Sequence, residues 1–168
     1  MSTHGREAPE PALGDSRSSA WSGVLCGIGL AAFLDETVFH QLLHWHHFYD
    51  RSTPAVGLVS DGIFHAGGFI AVVVGLFLLA DAHRRHGFVP RRWWAGLLVG
   101  WGAFQLYDGL VQHKLLGLHQ IRYHVTLWPY DATWNAVAAA MLLVGVALFR
   151  GPARVAGPGL FSTGRRGG

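Results

Sequence analysis

Cysteine and charge are the scarce things in this chain. Cys26 is the single cysteine, which excludes an internal disulfide, and its apolar neighbours mark it as inert core. Only 14% of the 168 residues are charged, against about 25% in an average soluble domain. The net charge is +3, but the positive residues sit in short flanks and one loop. They form no stripe with interleaved aromatics, which argues against a nucleic-acid surface. A signal peptide is not expected at the start, because acidic groups offset the arginines of a long polar segment. Strict metal motifs are missing too: there is no H-E-x-x-H, no E-x-x-H pair and no C-x-x-C. No nucleophile, cofactor loop or pair of catalytic carboxylates is visible, which points away from an enzyme.

What the chain has is apolar length. Half of it is hydrophobic (51%), with seven Trp and 23 Gly, a composition that suits closely packed helices in lipid. Apolar segments run over 21–43, 57–80, 93–116 and 131–149, each near the 20 or so residues that cross a bilayer. The stretches 67–80 and 135–149 are apolar on every face, unlike the striped helices of a soluble bundle. The expected fold is therefore all-α, a polytopic membrane four-helix bundle. Residues 21–150 form its transmembrane domain. Polar, Pro/Gly/Ser-containing segments at 1–20 and 151–168 are expected to be disordered.

Arginine distribution sets the expected orientation. Arg6, Arg17, Arg84, Arg85, Arg91, Arg92, Arg150, Arg154, Arg165 and Arg166 fall on one side, leaving Arg51, Lys114 and Arg122 on the other. By the positive-inside rule both termini are cytoplasmic, and the loops after spans one and three face outward. Trp93 and Trp94 fit an inner interfacial belt, and Trp45 and Trp128 an outer one. The compartment implied is the inner (cytoplasmic) membrane.

An internal repeat underlies the pattern. Residues 21–47 laid over 94–120, a shift of 73, agree at 11 of 27 positions. The matches include Asp35 with Asp108, His40 with His113 and His46 with His119, giving D-x4-H-x-L-L-x-x-H. At a shift of 70, Asp61 meets Asp131, His65 meets Asn135 and Gly75 meets Gly145. The chain reads as a duplicated two-helix hairpin, with repeats at about 21–81 and 94–150. Its pseudo-two-fold axis would run along the membrane normal.

All four spans thus carry polar residues at one depth, on the outer side. An ionisable group in a span costs a few kcal/mol unless it faces the interior and finds a partner, so a shared polar site is expected. Glu36, His40 and His44 are spaced i, i+4, i+8 and form one line on a helix face. Asp35 falls roughly 140° around from His40 at 100° per residue and is expected to face another neighbour. His40, His44, His65 and His113 are the expected ligands of a transition metal, since imidazole suits copper, zinc, iron and nickel. Asp35, Glu36, Asp61, Asp108, Asp131 and Asn135 would form the polar network that orients them. His46, His47, His119 and His124, near the loops, are expected at the periphery. His4, His83 and His86 are expected on the solvated cytoplasmic side. Other readings are haem held between His40 and His113, a proton relay, and an Asp–His network that only glues helices together.

The segments FLDETVFHQLLHWHH, YDGLVQHKLLGLH and DGIFHAGG resemble a bacterial family of predicted four-helix membrane proteins of unknown function. The resemblance spans about residues 20 to 150. It implies an association with membrane proteins that deliver copper to cytochrome oxidase, and so favours copper over zinc or iron and a respiratory oxidase assembly factor as partner. It implies no ligand residues.

Overall fold

The computed structural model describes residues 13–152 and 154, and is all-helical. Helix α1 spans Leu13–Asp35 and continues, π-wound, through Glu36–Leu42. Helix α2 spans Pro54–Arg84. Helix α3 spans Pro90–Leu106 and also continues in a π-wound segment, Tyr107–Leu116. Helix α4 spans Trp128–Phe149. Proline lies in the first turn of α2, α3 and α4, where its missing N–H costs nothing and its fixed φ favours a start. Helix α1 begins ahead of the expected position near residue 21. Its early turns are held by Ser19, whose hydroxyl accepts the Val89 N–H at 3.0 Å. One turn on, Ser22 donates to the Gly75 carbonyl at 2.8 Å. The expectation of disorder at 1–12 and over most of the tail lies outside the described residues.

Three helical stretches are long and apolar enough to cross a membrane: Ser16–Leu42, Pro54–Arg84 and Trp128–Phe149. Four were expected. Pro90–Leu116 is as long but opens with Arg91 and Arg92 and closes with Asp108, Gln112, His113 and Lys114. Helix α1 packs on α2 and α3, and α3 packs on α1 and α4, so α1 and α3 form the inner pair. Half of the α1 window is buried, but only 11% of the α2 and α4 windows. The outer helices display Ile63, Phe69, Phe77 and Leu143 on their surfaces, an apolar exposure that lipid rewards and water would not.

Glycine lets the inner helices touch backbone to backbone. A Cβ on Gly23 or Gly27 would run into the Trp93 and Leu97 carbonyls, and one on Gly96 or Gly100 into those of Ala20 and Val24. Each of these contacts maps onto its counterpart by adding or subtracting 73. The outer contacts correspond at a shift of 73 on the inner helix and 70 on the outer one: Gly29 abuts the Gly68 carbonyl on α2, and Gly102 the Ala138 carbonyl on α4. Such small-residue seams replace the hydrophobic drive that lipid cannot supply between helices.

Candidate metal centre

The π-wound ends of α1 and α3 carry the chemistry. In an α-helix, residues five apart diverge. In a turn whose hydrogen bonds close at i+5, they come back over one another. Asp35 and His40 are five apart, as are Asp108 and His113. The expectation that Asp35 faces away from His40 is therefore corrected: Asp35 Oδ2 lies 3.6 Å from His40 Nε2. On the other inner helix, Asp108 Oδ2 lies 3.0 Å from His113 Nε2.

Past each π segment the chain reverses through one left-handed residue, His44 (φ 50°) in the first case and Gly117 (φ 56°) in the second. The reversal folds the following residues back over the helix end. His46 and His119, expected at the periphery, are thereby buried at the centre, at 6% and 2% exposure. Their rings stack with centroids 4.5 Å apart and planes 6° apart. His46 lies 4.4 Å from the His40 ring, and His119 lies 4.6 Å from His113. The cross distances match as well, 6.2 Å for His40–His119 and 6.1 Å for His46–His113.

Backbone carbonyls fix how the two central rings present their nitrogens. His46 Nδ1 donates to the Ile121 carbonyl at 2.9 Å, and His119 Nδ1 donates to the Phe48 carbonyl at 2.8 Å. With Nδ1 carrying the proton, Nε2 is left as a lone pair facing the cluster, the arrangement that orients histidines for metals. Burial, reinforced by the neighbouring rings of His119, His40 and His113, drives the His46 pKa down to about 2. Burial likewise lowers that of His119 to about 4, against the pull of Asp108. Both are neutral bases at neutral pH.

Among the described residues, Nε2 of His40, His46, His113 and His119 and Oδ2 of Asp108 are buried without a hydrogen-bond partner. The 3.0 Å Asp108–His113 approach has the distance of a hydrogen bond but not its alignment. Buried polar atoms in native proteins are nearly always satisfied, so five orphans converging on one volume call for a ligand. Three donor groups have atoms mutually within 4.8 Å: Asp35, His40 and His46; His46, His113 and His119; and Glu36, His40 and Asp61.

The surroundings of the two halves differ. Glu36 Oε2 is 2.7 Å from His40 Nδ1, and Asp61 Oδ1 is 3.2 Å from the same atom. Asp61 is a hub: it also accepts from His47 Nδ1 at 2.6 Å and from the Phe48 amide at 2.7 Å. In the other half Gly109 replaces Glu36, with the Asn135 amide oxygen against it. Asp131, the counterpart of Asp61, instead pairs with Lys114 at 2.6 Å.

Of the four expected ligands, His40 and His113 are in the cluster; His44 and His65 are not. His44 is the exposed residue of the chain reversal. His65 is half-buried on α2 with its ring against Phe33, 5.1 Å away. His124 is exposed in the second loop, and His47 reaches the network through Asp61. The repeat motif already contained the two residues that were assigned to the edge, since its last histidine is His46 in one copy and His119 in the other.

Two cavities adjoin the cluster. One of about 360 Å³ at the loop surface is lined by His44, Trp45, His46, His47, Asp50 and Tyr123. A larger, apolar one of about 620 Å³ opens between α1 and α4, with Asp35 as its one carboxylate.

The model of a family described as predicted membrane protein (DUF2243) matches residues 22–152, and the chain belongs to that family. No curated protein and no solved structure matches the chain.

Proposed function

We propose that this member of the DUF2243 family is a multi-pass membrane protein that binds a transition metal in the His/Asp cluster and hands it on. One observation carries the proposal: four buried imidazole Nε2 atoms and a carboxylate oxygen converge without hydrogen-bond partners among the described residues. The donor set is imidazole with carboxylate, suited to copper, zinc, iron or nickel, and copper(II) stands highest in the affinity order of these divalent ions. The association with copper-delivery proteins that the family resemblance implies supports the same choice and a respiratory oxidase assembly factor as partner. Handover is supported by the surface cavity, because His46 lines it and also belongs to the cluster. Haem fits less well, since the His46–His119 stack fills the space between His40 and His113.

The fold reading that goes with this function is a duplicated hairpin. It is supported by the seam contacts that recur at a shift of 73 and by the His46–Ile121 and His119–Phe48 bonds, which exchange under the same shift. The arginine distribution supports an inner membrane location, cytoplasmic termini and a cluster on the outer side. A second reading, an Asp–His network that only braces the helices, is favoured by Asp61, which binds His40, His47 and the Phe48 amide.

Thermal melts with and without added metal distinguish the two. On the metal reading, copper(II) or zinc(II) raises the melting temperature of the detergent-purified protein, and the variant carrying both His40→Ala and His113→Ala loses the rise. If no transition metal stabilises the wild type and the variant is simply less stable, the bracing reading stands instead.

A further inference from the structure

We infer that the cluster takes two divalent transition-metal ions side by side, one held by Asp35, His40 and His46 and the other by Asp108, His113 and His119. The inference rests on the metal-binding reading above and gives that site its stoichiometry. The donors gather around two Asp–His pairs, Asp35–His40 and Asp108–His113, with the stacked His46 and His119 between them; His46 also has a ligand atom within 4.8 Å of those of His113 and His119. Around the first pair, ligand atoms of Asp35, His40 and His46 lie within 4.8 Å of one another. Around the second, Asp108 reaches His113 Nε2 at 3.0 Å with one oxygen and His119 Nε2 at 3.7 Å with the other. Three protein ligands and one open position make a complete site for a four-coordinate ion. Six donors exceed what one such ion takes. The close stacking of His46 on His119 joins the two sites, as in two-metal centres whose ions stand about 3.5–4 Å apart.

Charge favours bound cations. Asp35, Glu36, Asp61 and Asp108 are all at most 4% exposed. Among the described residues their ion-pair contacts are to histidines only, never to Lys or Arg. A buried carboxylate without compensating charge is strongly penalised. Bound cations supply the positive charge that no Lys or Arg brings to these carboxylates. The two ions would also be unequal. His40 Nδ1 faces Glu36 and Asp61, and carboxylate partners raise the basicity of a ligand imidazole. His113 Nδ1 has no hydrogen-bond partner among the described residues. The first ion is therefore the tighter.

The test is a cobalt(II) titration of the chelator-stripped, full-length protein in detergent, following visible absorption, with bound metal measured by elemental analysis after dialysis. Two cobalt ions per chain, filled in two steps, is the expected result. His113→Gln should hold one ion, and should fill with the tighter step. A wild type that saturates at one ion overturns the two-ion inference and leaves the metal reading intact. A wild type that binds none overturns both. A His113→Gln variant that still holds two would put the second ion elsewhere and overturn the assignment.

Discussion

Around His40 stand Glu36 and Asp61, the latter also tied to His47 and the Phe48 amide. At the corresponding positions around His113 stand Gly109 and Asp131, and Asp131 pairs with Lys114. The Asp–His–His trio recurs in both halves, and so do the carbonyls that orient His46 and His119. Around the two histidines the difference lies in the layer behind the trio. A matched inner layer with an unmatched outer layer separates two tasks: the inner residues converge on one volume, and the outer ones tune one side of it.

The largest expected effect comes from removing what the halves share. His46→Ala with His119→Ala should lower metal affinity by about 100-fold or more, above the range seen for losses of outer partners. Equilibrium dialysis reads this directly. Asp61→Asn should be milder, about 10–100-fold, and should weaken one step of a titration while sparing the other. Equal weakening of both steps would erase the contrast between the halves. Gly27→Ala and Gly100→Ala test the matched layer further from the cluster. Each drives a Cβ into the backbone of the other inner helix, so each should destabilise by about 1–3 kcal/mol, as overpacking does. Chemical denaturation in detergent should give similar losses for the two. The smallest effect is expected at His44, whose φ of 50° glycine adopts freely. His44→Gly should stabilise by a few tenths to about 1 kcal/mol and leave equilibrium metal binding unchanged.

The helices were legible from residues alone because apolar length follows simple transfer energetics, and the polar end because the ionisable residues of the spans fall at one depth. His40 and His113 were legible through the repeat. Three things were not. The pairing of Asp35 with His40 was hidden because α-helical spacing sets them on different faces, and nothing local announces a π-wound turn. His46 and His119 were hidden because a residue beyond a helix end reads as exposed, whereas here the chain reverses and buries it. His44 read as a ligand by its i, i+4 spacing from His40. The helix is no longer α-wound there, and His44 occupies the left-handed position that its counterpart fills with Gly117.

X-ray absorption at the metal edge of the copper-loaded or zinc-loaded protein tests the central claim most directly. The account predicts a first shell of nitrogen and oxygen at about 2.0–2.2 Å, with the outer scattering of imidazole rings. That imidazole signal should weaken in the variant carrying both His46→Ala and His119→Ala, which keeps only His40 and His113. A shell without imidazole scattering, or a spectrum unchanged in that variant, would contradict it.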